Sequence, residues 1–272
     1  MKAIYVTKTS NSNSSQPPAY AAIDLGTNNC RLLIAYPNGE NGNGMRVIDG
    51  FSRIVRLGEG LGKTGHLSDA AIDRTTEALK ICARKIRSQG VCQTRAIATE
   101  ACRQALNNKS FICHVEQETG IRLKTITSIE EAKLTLAGCM PLLTTGLPRI
   151  LMFDIGGGST ELIWLEKKPS GNPSVIDILS LPFGVVSLAE DFGPNALSTK
   201  TFEKIVNLID VKLAPFEDAH HIASQITIGN VHVLGTSGTV TTMGSIYLNQ
   251  KRYDRAQVDG LSISYESIHA IC

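Results

Sequence analysis

The chain has 272 residues, of which 42% are apolar and 19% are charged, and its formal net charge is +2. Such a composition is typical of a folded globular protein and excludes a largely disordered chain. The small net charge gives no support for a nucleic-acid partner, and no apolar run approaches the roughly 20 residues that a membrane-spanning helix requires.

The chain opens with a polar stretch rich in Ser, Asn and Pro, and we expect residues 1–18 to form a disordered arm. This stretch lacks the apolar core of a signal peptide. The seven cysteines include no C-x-x-C pair, so they indicate neither a zinc site nor a disulfide framework. They are typical of small apolar filler in a reduced protein, and we therefore expect a cytoplasmic location.

The first half of the chain then alternates apolar strand patterns with helical patterns. The segment 68–90 is the clearest helix, with a start signal, apolar residues at helical spacing and a glycine stop. The predicted strands are 21–25, 30–36, 45–57, 91–99 and 121–128, and the other predicted helices are 100–108, 109–120 and one opening at 129.

A break rich in glycine and proline at 142–149 precedes a second series of elements in the same order. The predicted strands are 150–156, 159–166, 175–184 and 230–238, and the predicted helices are 185–192, 199–216 and one from about 239.

The repeat is also visible in the residues. "IDLGTNNCRLLI" aligns with "FDIGGGSTELIW" at a constant offset of 130 residues, which places Asp24 on Asp154 and Gly26 on Gly156. Two matches that open the same strand order predict two related α/β domains that face one cleft. We assign residues 19–138 to the first domain and residues 139–272 to the second.

The glycine run in "DIGGGSTE" (154–161) matches neither the Rossmann fingerprint nor the P-loop signature. Glu161 occupies the position of the third glycine in the Rossmann fingerprint, and no Lys-Ser/Thr follows as in a P-loop. Because these glycines lead into a strand, they should form a hairpin tip whose N–H groups can bind an anion such as phosphate. Further donors are Ser159 and Thr160 on this loop, and Thr27, Asn28 and Asn29 on its counterpart.

An aspartate at the base of such a loop would repel phosphate unless a cation lay between them. A hard divalent ion with mostly water and phosphate ligands fits, and Mg²⁺ is the usual choice. The alternative is purely structural: Gly156–Gly158 would form a tight turn that Asp154 caps.

The segment "TSIEEAKL" (127–134) also allows two interpretations. Ser128 and Glu131 have the spacing of a capping box, in which the glutamate folds back onto the Ser128 amide. Alternatively, the helix directs Glu131 into the cleft as a general base for water.

Five blocks, in this order and spacing, resemble the exopolyphosphatase and guanosine pentaphosphate phosphohydrolase (Ppx/GppA) family of the actin-like superfamily. The resemblance covers about residues 20–245 and implies two ribonuclease-H-like domains with an active-site cleft between them. The blocks are "AAIDLGTNNCRLLIAY", "RLGEGLGKTGHLS", "AIATEACRQALN", "GIRLKTITSIEEAKLTLAG" and "LMFDIGGGSTELIWL".

The resemblance also implies residue roles. Glu131 would be the catalytic base, Asp154 the Mg²⁺ residue, Glu161 a group close to the metal, and Asp24 a contributor from across the cleft. A monovalent cation such as K⁺ could accompany Mg²⁺. The residues expected to bind phosphate are Thr27, Asn28, Asn29, Arg31, Arg103, Gly156, Gly157, Gly158, Ser159 and Thr160.

Two departures from the family pattern stand out. Asn29 replaces the usual serine, which we expect to tune the site without inactivating it. The chain ends inside a predicted helix, whereas even short members continue with further helices, so we expect the second domain to be cut short.

The expected activity is hydrolysis of the terminal phosphoanhydride bond of inorganic polyphosphate. The alternatives are a guanosine pentaphosphate phosphohydrolase with the same residues, a phosphotransferase of the kinase branch, and a non-catalytic alarmone or nucleotide sensor. The family resemblance implies a homodimer. We expect neither a nucleic-acid partner nor a membrane partner.

Overall fold

The computed structural model of the protein describes residues 17–38, 44–143, 146–168, 171–195 and 198–271. Nearly all of the predicted N-terminal arm therefore lies outside the described residues.

The first half of the chain forms a five-stranded mixed sheet with the order β3-β2-β1-β4-β5. The first three strands form an antiparallel meander, and the last two run parallel to the central strand. The strands are β1 (Tyr20–Leu25), β2 (Asn29–Asn38), β3 (Gly44–Ile54), β4 (Gln93–Ala98) and β5 (Leu123–Thr125).

The second half repeats this arrangement with four strands in the order β8-β7-β6-β9. Again three strands form an antiparallel meander, and the last strand runs parallel to the first of them. The strands are β6 (Arg149–Ile155), β7 (Thr160–Glu166), β8 (Ser174–Leu181) and β9 (Val231–Thr236).

The described helices fall into two groups around these sheets. In the first half they are α1 (Leu61–Thr64), α2 (Asp69–Ser88), α3 (Glu100–Gln104), α4 (Asn108–Thr119) and α5 (Ser128–Cys139). In the second half they are α6 (Val185–Phe192), α7 (Thr199–His220), α8 (Ile222–Thr227), α9 (Ser237–Tyr247), α10 (Arg255–Val258) and α11 (Tyr265–Ile271), and short 3₁₀ helices span Met140–Leu142 and Gly193–Asn195.

We call the β1–β5 sheet with α1–α4 the first lobe, and the β6–β9 sheet with α6–α11 the second lobe. The first lobe has one continuous core, in which Ile23 and Leu25 of the central strand pack with Leu79 of α2 and Phe111 of α4. Because these side chains are fully buried, β1 is held firmly and the loop that follows it has a fixed base.

Helix α5 connects the lobes. It follows the first sheet in the chain, yet it packs on the second: Ala132 belongs to the same buried cluster as Ile150, Met152 and Ile163. The predicted domain boundary after residue 138 stays a prediction, since this helix has contacts with both lobes.

The predicted series of strands and helices is confirmed, including the repeat of the strand order. The sequence patterns did not indicate the short helices α1, α8 and α10. None of the helices in the described ranges is long and apolar enough to cross a bilayer. The six cysteines within those ranges are free thiols.

The start of α5 differs from the predicted capping box by one residue. Thr127, not Ser128, is the N-cap: its hydroxyl accepts a hydrogen bond from the Glu130 amide at 3.1 Å, and Glu130 Oε2 accepts one from the Thr127 amide at 3.0 Å. The capping glutamate is therefore Glu130. Glu131 is not used for capping and can act elsewhere.

This assignment predicts different costs for two neighbouring substitutions. Thr127→Ala removes the cap and should lower the free energy of unfolding by about 1 kcal/mol. Ser128→Ala should change it by less than about 0.5 kcal/mol. Urea unfolding followed by circular dichroism measures both, and a larger loss for Ser128→Ala would restore the original prediction.

Candidate active site

Two hairpin loops with the same internal closure lie at the carboxyl ends of β1 and β6. In the first loop the Gly26 amide donates to the Asn29 carbonyl at 2.9 Å, and in the second the Gly156 amide donates to the Ser159 carbonyl at 3.0 Å. The 130-residue repeat therefore extends to the backbone of the loops, and the predicted hairpin tip is confirmed.

The two loops touch each other. A Cβ added to Gly158 would lie only 2.5 Å from Thr27 Oγ1, and one added to Gly157 would lie 3.3 Å from Asn28 Cβ. Thr27 is itself 9% exposed. The bare backbone that we expected to make room for phosphate is thus needed on this side for the approach of the facing loop.

Backbone amides remain as the donors for an anion. The N–H groups of Gly157 and Gly158 make no hydrogen bond to any described residue, and the same holds for Thr27 and Asn28. Successive unbonded amides of this kind form a concave site for an anion.

Two of the three hydroxyls predicted as further donors, those of Ser159 and Thr160, are engaged within the protein. Thr160 Oγ1 donates to the Phe183 carbonyl at 3.0 Å, and the Ser159 hydroxyl hydrogen-bonds to the Glu161 carboxylate. Asn29 contributes its carbonyl to the closure of the first loop, and the Asn28 carbonyl accepts from the Val55 amide at 2.8 Å. These side chains and carbonyls therefore shape the loops.

Asp24 and Asp154 lie at the bases of the two loops, close enough to influence each other. Burial raises the pKa of Asp24, the Arg31 guanidinium lowers it, and the negative charge of Asp154 raises it further. Burial also raises the pKa of Asp154, against hydrogen bonds from Ser237 and Thr135 and the charge of Arg31. The net direction is upward for both carboxyls, because the effect of burial outweighs the single Arg31 guanidinium that both of them feel.

Glu131 is the third acid, and Arg103 holds it. Arg103 Nη1 donates to Glu131 Oε2 at 2.7 Å, and no described residue donates to Oε1. Burial raises the pKa of Glu131, Arg103 opposes this shift, and the charges of Asp24 and Asp154 add to it. A carboxylate with one oxygen fixed, one without a donor and a raised pKa has the properties of a general base.

Glu161 is the fourth acid and the most deeply buried, at 2% exposure. Its Oε1 accepts a hydrogen bond from Ser180 Oγ at 3.1 Å. Burial and then the neighbouring charge of Glu131 raise its pKa to about 7, while the Ser159 and Ser180 hydroxyls oppose the shift. A partner of opposite charge would relieve this cost.

The donor set fits a hard divalent cation such as Mg²⁺. Asp24, Asp154 and Glu161 each have a raised pKa, because their buried negative charge is incompletely balanced. No three His, Cys, Asp or Glu residues in the described part of the chain lie close enough together to hold a metal by themselves. The ion would therefore complete its coordination with water and phosphate oxygens, which suits Mg²⁺.

The predicted site residues thus converge on the two loops and the start of α5. Arg31 reaches the opposite lobe, where its Nη2 lies 3.8 Å from the position of a Cβ added to Gly238. Arg103 pairs with Glu131 and Glu100, and its predicted role toward phosphate stays a prediction.

Four polar residues near the acids were not predicted: Glu100, Thr135, Ser180 and Ser237. Glu100 is three residues before Arg103 on a helix, a spacing that could have revealed their pairing. Ser237 adopts a left-handed backbone (φ 78°), an uncommon conformation for a residue with a side chain. Thr135 and Ser180 carry no local signal.

Two cavities adjoin the site, one at the loop contact and one at Asp24. One of about 100 Å³ lies between the lobes and is lined by Thr27, Glu100, Gly158 and Glu190. A larger one of about 880 Å³ opens beyond Asp24 and is lined by Arg31, Arg95, Ser237 and Tyr253 among others.

The comparison with protein families gives one match. The sequence model of the Ppx/GppA phosphatase family matches residues 38–272. A bifunctional 3-dehydroquinate synthase/phosphatase of Fusobacterium nucleatum is 31% identical over 263 residues, which cover 92% of this chain. The chain spans only 37% of the length of that curated relative.

Solved structures give the same family. An exopolyphosphatase-like protein superimposes with a TM-score of 0.81 at 30% identity, covering 93% of this chain and 76% of that one. An exopolyphosphatase from Cytophaga hutchinsonii superimposes with a TM-score of 0.74 at 25% identity, covering 86% and 72%. The predicted fold class, α/β with two related actin-like domains, is confirmed.

The close contact between Gly184 and the second loop predicts that a side chain at position 184 destabilises the protein. A Cβ at this position would lie 2.3 Å from the Gly156 carbonyl oxygen, so Gly184→Ala must displace the loop and should lower the free energy of unfolding by about 2 kcal/mol or more. Gly138→Ala is the matched control, because its Cβ would meet nothing within 4 Å. In helix α5 it should be neutral or stabilising by up to about 1 kcal/mol. Equal effects of the two changes in urea unfolding would contradict this packing.

Glu161 predicts a pH dependence of stability. Its pKa is raised in the folded state from 4.5 to about 7, so folding favours the protonated carboxyl. The contribution of Glu161 to the free energy of unfolding is therefore complete below pH 4.5 and is lost as the pH rises through 7. The loss is on the order of 3 kcal/mol. Glu161→Gln should flatten the stability profile between pH 5 and pH 8, measured by urea unfolding with EDTA present. Glu166→Gln on the same strand should keep the wild-type slope, and a wild-type slope in Glu161→Gln would contradict the assignment.

Proposed function

The chain belongs to the Ppx/GppA phosphatase family, and we propose that it hydrolyses the terminal phosphoanhydride bond of inorganic polyphosphate and releases orthophosphate. The observation that carries this proposal is the position of Glu131. It lies in the first turn of α5, whose start is capped by Thr127 and Glu130, and it interacts electrostatically with Asp24 of one lobe and Asp154 of the other.

The substrate would bind with its terminal phosphate at the two loops. The unbonded amides of both loops and the Arg31 guanidinium would meet the equatorial oxygens, where negative charge is concentrated during phosphoryl transfer. These donors are fixed by the hairpins before the substrate arrives, so little reorganisation is needed.

Hydrolysis needs an in-line water and a group that takes its proton. Water attacks the terminal phosphorus while the bond to the bridging oxygen breaks and the shortened polyphosphate departs. Glu131 accepts the proton of the water at Oε1, the oxygen without a described donor, while Oε2 stays bound to Arg103.

A divalent metal completes the proposal. When bound by Asp154, with Glu161 and Asp24 nearby, Mg²⁺ would supply positive charge to the phosphate oxygens. The raised pKa of each of these carboxyls supports a cation at this position. K⁺ as a second ion, a cytoplasmic location and a homodimer stay predictions.

We propose polyphosphate as the substrate because a solved structural relative, from Cytophaga hutchinsonii, is an exopolyphosphatase. Guanosine pentaphosphate ends in the same kind of phosphoanhydride and would use the same residues. The curated relative is named for a phosphatase together with a dehydroquinate synthase, which supports the hydrolytic class without indicating a substrate.

The test is phosphate release from medium-chain polyphosphate with Mg²⁺. Glu131→Gln should lower kcat by about 100-fold or more, because a general base contributes rate factors of this size. Glu130→Gln is the matched control: glutamine still completes a capping box, so activity should stay within about twofold of wild type. Equal rates in wild type and Glu131→Gln would refute the base assignment.

Substrate preference is measured in the same assay by competition. Polyphosphate should outcompete guanosine pentaphosphate for the wild-type enzyme, and EDTA should abolish release from both. Preferential turnover of guanosine pentaphosphate would replace the substrate and keep the chemistry. Tight binding of either compound without turnover, with Glu131 and Asp154 intact, would indicate a sensor.

A further inference from the structure

Arg103 lies between two glutamates of different roles. Its Nη1 donates to Glu131 Oε2 at 2.7 Å, while its Nε donates to Glu100 Oε2 at 2.7 Å and its Nη2 lies 2.6 Å from the same oxygen. Glu100 thus holds one edge of the guanidinium by a hydrogen bond to Nε and an ion-pair contact with Nη2, which lacks hydrogen-bond geometry, and Glu131 binds the other end. This geometry leaves Arg103 little rotational freedom.

The contacts around Arg103 continue on both sides. Nη1 also donates to the Ile126 carbonyl at 3.1 Å, just before α5 begins. Glu100 is held in turn by Gln104, whose Nε2 donates to Glu100 Oε1 at 2.7 Å. Arg103 Nε and Nη1, Glu100 Oε1 and Glu131 Oε2 are thus held by hydrogen bonds within the first lobe or to the start of α5.

The group is also shielded from water. The side chains of Glu100, Arg103 and Glu131 are 12%, 18% and 20% exposed. An ion pair exposed to water stabilises a protein little, because water screens it. An ion pair at this depth retains much of its Coulomb interaction. By contrast, the Lys80–Glu118 pair of the same lobe, at 3.0 Å, is 33% and 43% exposed.

The negative charge of Glu100 affects the basicity of Glu131. An arginine paired with a single buried carboxylate withdraws negative charge from it and makes it a weaker base. A second carboxylate on the same guanidinium shares the positive charge and reduces this effect. Glu100 also lines the 100 Å³ cavity beside Thr27 and Gly158, so its charge lies next to the loop contact.

We propose that Glu100 is a positioning residue for the reaction: it fixes Arg103 so that Nη1 holds Glu131 by one oxygen, and it shares the arginine's charge so that Glu131 stays basic. This inference rests on the proposed function. It also explains why Arg103 is paired with two carboxylates, which a role in phosphate binding alone would not require.

The kinetic test uses Glu100→Gln with polyphosphate and Mg²⁺. We expect kcat to fall about 10-fold while KM changes less than about threefold, because the base is weakened and the phosphate-binding loops are untouched. Glu118→Gln is the matched control for loss of an ion pair in the same lobe and should leave both constants within twofold of wild type. An unchanged kcat in Glu100→Gln, with an active wild type, would overturn the inference.

A double-mutant cycle separates positioning from a structural role. If Glu100 acts through Arg103, adding Glu100→Gln to Arg103→Ala should lower kcat less than about twofold further. A second 10-fold loss in that background would show that Glu100 acts independently and would overturn the inference. If Glu100→Gln does not fold, Gln104→Ala, which removes the amide bound to Glu100 Oε1, should lower kcat about two- to threefold, and no change would overturn it.

A readout that needs no turnover distinguishes failure of this inference from failure of the proposed function. In ¹⁵N NMR spectra, the Nε–H of Arg103 should be protected from exchange with water in the wild type and lose protection in Glu100→Gln. If the protection is the same in both, the inference is wrong whatever the activity. If the protection is lost but the wild type releases no phosphate, the geometry stands and the proposed function fails.

Discussion

The close approach of two hairpin loops is the constraint on which the rest of the site depends. It is possible only because residues 157 and 158 lack a Cβ, since Thr27 and Asn28 occupy the space that side chains there would need. The approach brings Asp24 and Asp154, at the bases of the loops, within electrostatic range of each other. The three successive glycines are entropically costly in a single hairpin, but the contact between the two loops requires residues without a side chain there.

Bringing the loops together buries more negative than positive charge. The four carboxyls of Asp24, Glu131, Asp154 and Glu161 lie within electrostatic range of one another, and each has a raised pKa. Such a cluster disfavours folding and persists only because the apolar cores on both sides hold the strands that carry it. The same imbalance would favour a bound cation and a phosphate held through it, which is the premise of the proposed function.

The start of α5 shows where sequence-based interpretation reached its limit. In "TSIEE" both Thr127 with Glu130 and Ser128 with Glu131 have the spacing of a capping box, and local pattern cannot choose between them. The choice is made by Arg103, which lies on a different helix and binds Glu131. Because one glutamate is needed for the cap and one for the arginine, the adjacent pair of acids divides between a structural and a chemical role.

The sequence by itself determined the series of strands and helices, the 130-residue repeat and the hairpin position of the glycines, because these follow from local periodicity and spacing. The family was indicated by the resemblance of five sequence blocks. Only the tertiary structure decided that α5 packs on the second sheet, that the Thr160 hydroxyl donates to the Phe183 carbonyl, and that Arg103 holds Glu131. These outcomes depend on burial and on partners distant in the chain, and a carboxylate or hydroxyl looks the same in sequence whether it meets water, substrate or an arginine from another helix.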